Sequence, residues 1–172
     1  GNVFRPPSEA RSLIVQATVG CSHNNCTFCY MYKDDDFRVR PLEEIKKDLV
    51  EMSAYKDYFE RIFLADGDAL VLKTEDLLEI LKTIKEYFPD VNRVSSYATA
   101  KDIKDAGLEM LYIGFETGDE DLLKKIQKGI TYEEYVSAMK KAKEAGFKTS
   151  VTIIAGLGGV DGIEKNAIGT AK

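Results

Sequence analysis

Tryptophan is absent from this 172-residue chain, histidine occurs once, cysteine three times and proline four times. So few cysteines exclude a disulfide scaffold, and their odd number leaves at least one thiol unpaired within the chain. Long hydrophobic runs are also missing. The longest, such as Val151 to Leu157, fall far short of the roughly 20 residues that cross a bilayer, so no membrane partner is expected. Residues 1 to 12 carry proline, arginine and glutamate but no apolar stretch, so no secretory or transit signature is read there and a cytoplasmic location is expected. Basic residues are outnumbered, 24 against 29, for a net charge of −5. That balance does not indicate nucleic acid, which wants a basic face. What is present suits a single globular domain. Hydrophobic residues at 44 % and charged residues at 31 % exclude disorder and collagen-like repeats. A chain of this mass can bury about 70 % of its unfolded surface.

All three cysteines, Cys21, Cys26 and Cys29, fall in one polar loop, Gly-Cys-Ser-His-Asn-Asn-Cys-Thr-Phe-Cys, at residues 20 to 29. Cysteines that merely filled a core would be scattered among strands and helices. Gathered among Gly, Ser and Asn, they read as metal ligands. Two metals compete. Zinc takes four tetrahedral ligands, and the lone histidine, His23, could complete a Cys₃His set. An iron–sulfur cluster takes thiolates on its irons, and three thiolates would leave one iron of a four-iron cluster open. Only Ser22 separates His23 from Cys21, which is tight for both side chains to reach one ion, so His23 reads as a loop residue.

The rest of the chain alternates strand and helix. Ser12 to Val19 reads as a strand that ends at the cysteine loop. Leu42, Ile45, Leu49 and Met52 recur at helical spacing after Pro41, a suitable first-turn proline. Arg61 to Ala65 is a second strand. Thr74 to Phe88 is a helix that Thr74 can cap, with Leu77, Leu78, Leu81 and Ile84 as its stripe. Asn92 to Tyr97 follows as a strand, Lys101 to Gly107 as a short helix, and Met110 to Phe115 as the fourth strand. Asp119 to Lys128 reads as helical, and Thr131 to Ala145 opens with a capping box of Thr131 and Glu134. Lys148 to Ala155 is the fifth strand, and Asp161 to Ala171 begins another helix. Lysines and glutamates on these helices read as a solvated face. Such alternation predicts an α/β fold with a mostly parallel sheet and right-handed crossovers. Ligands in such folds sit beyond the carboxyl ends of the strands. The cysteine loop, Asp66-Gly67-Asp68, Ser95-Ser96-Tyr97, Glu116-Thr117-Gly118 and Gly156-Leu157-Gly158-Gly159 all fall at such ends.

With those motifs in place, the chain resembles the radical S-adenosylmethionine (radical SAM) superfamily from about Phe4 onward. The resemblance is carried by residues 20 to 33, Phe63 to Leu70, Ile113 to Gly118 and the glycine run after the fifth strand. It implies a partial TIM-like (β/α)₆ barrel of parallel strands, of which about five are counted here, and a single core domain over residues 1 to 172. It also implies a [4Fe–4S] cluster whose open iron binds S-adenosylmethionine, oxygen sensitivity, and hydrogen abstraction from an unknown substrate by a 5′-deoxyadenosyl radical. An electron donor such as flavodoxin or ferredoxin is the partner implied. Carried residue by residue, Cys21, Cys26 and Cys29 match the cluster ligands, and Phe28 matches the aromatic near the adenine. Gly67 and Asp68 match the loop that receives the methionine amino group. Glu116 matches an acidic position that can accept from the ribose, and Ile154 and Gly156 match the adenine motif of the fifth strand. The Cys-x₄-Cys-x₂-Cys spacing resembles a subset of the superfamily. Asp66 stands where the family has a first glycine, Asp68 is one methylene shorter than the usual Glu, and Thr152 and Gly159 stand where Gly and Glu are common.

Other readings stand beside this one. The cysteine loop could be a structural zinc site in an adaptor domain, or Gly156 to Gly159 could serve a plain nucleotide-binding domain. Phe28 could pack the loop, Glu116 could be a surface acid, and the glycine run could be only a turn. Tyr30, Tyr97, Arg38 and Arg40 could contact cofactor or substrate. Nothing else within Cys21 to Lys33 is expected to anchor the loop in a core. With five strands counted, one sheet edge is expected to lack a neighbour, as in a core fragment without a C-terminal portion, and that open edge at the fifth strand is expected to favour self-association.

Overall fold

The computed structural model describes residues 3–97 and 107–172. Five parallel strands form the main sheet in the order β1-β4-β5-β6-β7, with β1 at Leu13–Gln16, β4 at Arg61–Ala65, β5 at Arg93–Tyr97, β6 at Leu108–Glu116 and β7 at Lys148–Ile153. Every pairing in it is parallel, so the carboxyl ends of all five strands share one edge. Helices α1 (Leu42–Met52), α2 (Thr74–Tyr87) and α4 (Tyr132–Glu144) cover one face, and α3 (Glu120–Lys125) and α5 (Gly159–Thr170) follow the ends of β6 and β7. This is the predicted α/β architecture.

The pleat divides the strands between two faces. Ile62 and Leu64 point to the helices and join Leu13, Val15, Ile45, Leu49, Leu77, Ile80, Leu81 and Ile84 in the main core. Phe63 and Ala65 point the other way and pack with Tyr112, Ile14, Tyr97 and Met110. Edge-to-face aromatic pairs, 5.2 Å between the Phe63 and Tyr97 centroids and 6.0 Å between Phe63 and Tyr112, fill this inner face.

Several predicted boundaries move. The first predicted strand divides at Ala17. After β1, Thr18–Val19 turns away as β2 and pairs antiparallel with β3, Arg38–Val39. Two-residue strands leave no periodic signal, and this ribbon brackets the cysteine loop. Pro41 is the N-cap of α1 rather than its first-turn residue, and Lys73 rather than Thr74 precedes α2. Leu78 is 39 % exposed, and Ile80 takes its place in the buried stripe. The predicted helix at Lys101 to Gly107 lies outside the described residues except for its last. The capping box of Thr131 and Glu134 forms as expected. Strand β7 is one of the two sheet edges, opposite β1, and is exposed along most of its length, and Val151, Ile153, Val160, Ile163 and Ile168 of β7 and α5 all face solvent.

The N-terminal segment closes the inner face at the end away from the cysteines. A short 3₁₀ turn, Pro7–Glu9, places Glu9 with no exposure against the first residue of β5. Glu9 accepts from Arg93 at 2.7 Å, from the Tyr112 hydroxyl at 2.7 Å and from Ser12. Burial raises its carboxyl, but the bonds from Ser12, Tyr112 and Ser95 and the Arg93 charge outweigh that and hold it below the ordinary range. A carboxylate with a lowered folded-state pKa stabilises the fold above its unfolded pKa, and the contribution is lost as pH falls. Glu9→Gln is therefore expected to cost about 2 kcal/mol in urea unfolding at neutral pH. The gap from the unsubstituted protein should shrink as pH drops below the ordinary carboxylate range.

Candidate functional site

The loop of residues 20 to 37 leaves the sheet between β2 and β3 and returns over the carboxyl-terminal edge. Three sets of contacts hold it there. At its end, Tyr32 is 4 % exposed, and its hydroxyl donates to Asp66 Oδ1 at 3.1 Å. Asp66, 1 % exposed beyond the end of β4, also accepts from Gln16 Nε2 of β1 at 2.7 Å. Burial pushes the Asp66 carboxyl up, and those two bonds offset part of the rise. Burial and the neighbouring Asp66 charge push the Tyr32 phenol up as well, so it remains a donor. Tyr32 is thus the core anchor that the sequence did not reveal. Asn24 Nδ2 in turn donates to the Tyr32 carbonyl at 2.7 Å.

At the first cysteine, Gly67 N donates to Gly20 O at 3.2 Å. A Cβ on Gly67 would fall 2.9 Å from Cys21 Cβ and 3.0 Å from Tyr32 Cε2, so only glycine lets the two loops touch. Next to it, Ser22 Oγ donates to Asp68 Oδ2 at 2.8 Å. On the far side, Thr27 N donates to Ile126 O at 3.0 Å, and His23 Nε2 donates to Gln127 O at 2.7 Å. Gly129, at φ +73°, leaves room for the His23 ring. The lone histidine is therefore committed to holding the loop against the segment after α3.

Cys21, Cys26 and Cys29 are all free and half-buried. Burial raises the Cys26 thiol, the Lys128 charge opposes the rise, and the other two thiols add to it, so the three lie within electrostatic reach of one another. Among the described residues, no three Cys, His, Asp or Glu side chains converge to hold one metal ion. A four-iron cluster makes no such demand, because its thiolates bind different irons. The donor set, three thiols without a fourth protein ligand, fits that cluster better than tetrahedral zinc.

The remaining candidates gather unevenly. Glu116 closes β6 at φ +63° and accepts from Lys128 Nζ at 3.0 Å. The same ammonium lies 5.8 Å from the centre of the half-buried Phe28 ring, so Lys128 joins Phe28 to Glu116. Ile154 N donates to Glu116 O at 2.9 Å, tying the ends of β6 and β7 together. Gly156, at φ +77°, touches nothing on its side-chain side and starts a turn closed by Gly159 N on Gly156 O at 2.9 Å. Tyr97 ends β5 on the inner face, its phenol pushed up to about 12 by burial and by the nearby Tyr112 and Asp66. Arg40 is engaged elsewhere, donating to Gln16 O at 2.8 Å and Asp48 Oδ2 at 2.7 Å, while Tyr30 and Arg38 are exposed. Lys128 itself escaped sequence reasoning, because a lysine beyond a short amphipathic helix carries the pattern of a solvated face.

The family model described as Radical SAM superfamily matches residues 15–167. A probable GTP 3′,8-cyclase of Methanocaldococcus jannaschii is 28 % identical over 139 residues, covering 78 % of this chain and 46 % of that protein. An uncharacterized methyltransferase of Pyrococcus horikoshii is 28 % identical over 152 residues, covering 83 % of this chain and 32 % of that protein. Among solved structures, methylornithine synthase superposes with a TM-score of 0.68 at 21 % identity, over 92 % of this chain and 48 % of that one. A cobalamin-dependent S-adenosylmethionine radical enzyme, solved with aqua-cobalamin and S-adenosylmethionine bound, gives 0.68 at 20 % identity over 92 % and 26 %. At such identities the structural matches show a shared fold. The chain spans less than half the length of each of these proteins.

The contact at Gly67 gives a direct test of how the loop is seated. Gly67→Ala should cost about 1–3 kcal/mol, the range for overpacking. It should also speed the reaction of the three thiols with a chromogenic disulfide. Unchanged stability and thiol rates would mean that the close approach to Cys21 does not hold the loop.

Proposed function

The chain belongs to the radical SAM superfamily, and from that premise we propose that it is the single catalytic core domain of an enzyme using Cys21, Cys26 and Cys29 to hold a [4Fe–4S] cluster. The family uses this cluster together with S-adenosylmethionine. When bound, the pair supplies one-electron reductive cleavage of the sulfonium and a 5′-deoxyadenosyl radical able to abstract hydrogen from a substrate. The observation that carries the proposal is the seating of three free cysteines in one loop at the shared carboxyl-terminal edge of a parallel sheet. The chain's own residues do the positioning. Tyr32 and Asp66 fix the end of the loop, and Gly67 sets the first cysteine against the β4 loop.

Asp68 is the proposed acceptor for the methionine amino group, pre-oriented by the Ser22 hydroxyl. Glu116 is the proposed acceptor for the ribose, and Phe28, Ile154 and Gly156 are the proposed adenine surroundings. The electron would come from an external one-electron donor such as a flavodoxin or ferredoxin. Curated relatives include proteins named as cyclases, a methyltransferase and a methylthiotransferase.

Anaerobically reconstituted protein is expected to carry about four irons per chain. Iron and sulfide analysis of Cys21→Ala, Cys26→Ala and Cys29→Ala should show loss in each. Full zinc occupancy without iron under reducing, oxygen-free conditions would sink the proposal. Asp68→Ala should weaken S-adenosylmethionine binding to the oxidised cluster by about 1–3 kcal/mol, as for a charge-assisted bond, measured by calorimetry. Equal affinity would leave Asp68 as a partner of Ser22 alone.

A further inference from the structure

Beside the cysteine loop, a half-buried cation pairs with Glu116 at the end of β6. Lys128 lies between α3 and α4, and its side chain is only 17 % exposed. Its ammonium bonds Glu116 and faces the Phe28 ring, which lies in sequence between Cys26 and Cys29. Space for the ion pair is made at Gly114, where a Cβ would fall 2.5 Å from Glu116 Oε1 and 3.1 Å from Lys128 Nζ. Below it, the Tyr135 hydroxyl of α4 donates to the Gly114 carbonyl and fixes that strand end. A cation taken this far out of water is costly unless its charge is matched. Glu116 matches it on one side. On its other side lies the Phe28 ring, on the stretch of loop that joins Cys26 to Cys29, so the ammonium sits beside the cysteine loop.

Resting on the function proposed above, we infer that Lys128 tunes the cluster: its fixed charge raises the reduction potential of a cluster held by Cys21, Cys26 and Cys29. Reduction adds one negative charge to the cluster, so a nearby fixed cation stabilises the reduced form over the oxidised one. The electron is supplied by the external one-electron donor, and Lys128 itself is neither oxidised nor reduced. Its bond to Glu116 makes it also a positioning residue for that carboxylate.

The test is the midpoint potential of the reconstituted chain, read by electron paramagnetic resonance during titration with a one-electron chemical reductant and without S-adenosylmethionine. Lys128→Met should shift the potential to more negative values, and Lys128→Arg should leave it near the unsubstituted value. Glu116→Gln should shift it the opposite way, because the Lys128 charge is then uncompensated. If Lys128→Met fails to hold iron, Lys128→Gln, which keeps a polar partner for Glu116, decides: a negative shift supports the inference, and no shift or a positive one overturns it. Iron-loaded Lys128→Met at the unsubstituted potential overturns this inference alone. An unsubstituted chain that takes up no iron overturns both this and the function proposed above.

Discussion

The hydrogen bond from Tyr32 to Asp66 is the contact on which the arrangement of the site depends. A loop rich in Gly, Ser and Asn has little apolar surface of its own, so collapse alone cannot place it. Tyr32 supplies a ring that is buried and a hydroxyl that meets a buried carboxylate. That carboxylate also accepts from Gln16, so β1, β4 and the loop end meet at one residue. Burying Asp66 this way is tolerable because both its oxygens are bonded. Once Tyr32 is fixed, Gly67 can touch Cys21, and Ser22 can reach Asp68.

The two ends of the sheet divide the labour. At the amino-terminal end, Glu9 and Arg93 close the inner face with a paired charge. At the carboxyl-terminal end, the buried carboxylates of Asp66 and Glu116 and the half-buried thiols and Lys128 gather around a loop. Parallel strands make this division possible, because they present all their carboxyl ends to the same side. Aromatic packing of Phe63, Tyr97 and Tyr112 separates the two ends.

The alternation of strands and helices was readable because buried strands and amphipathic helices leave strong patterns. Ile62 and Leu64, or Ile45 and Leu49, announce themselves by spacing. The cysteine loop was readable from composition, and its place at a strand end followed. Contacts that depend on two distant residues were not. Tyr32 is one of two tyrosines flanking Met31, and only its meeting with Asp66 distinguishes it from the exposed Tyr30. The β2–β3 ribbon is two residues per strand, too short for periodicity. Lys128 has the sequence signature of a surface lysine, and its burial beside Glu116 depends on the absent side chain at Gly114. Leu78 lies off the buried stripe because it is about 100° round the helix from Leu77, whereas Ile80 is about 60° from it on the other side.

The central claim is that this loop holds three thiolates on a cluster that keeps one position for S-adenosylmethionine. Electron paramagnetic resonance of the reduced, reconstituted chain before and after saturating S-adenosylmethionine tests it most directly. A cluster signal whose g-values change on addition is predicted, because the added ligand occupies the open iron. A cluster signal that stays identical at saturation would contradict the account.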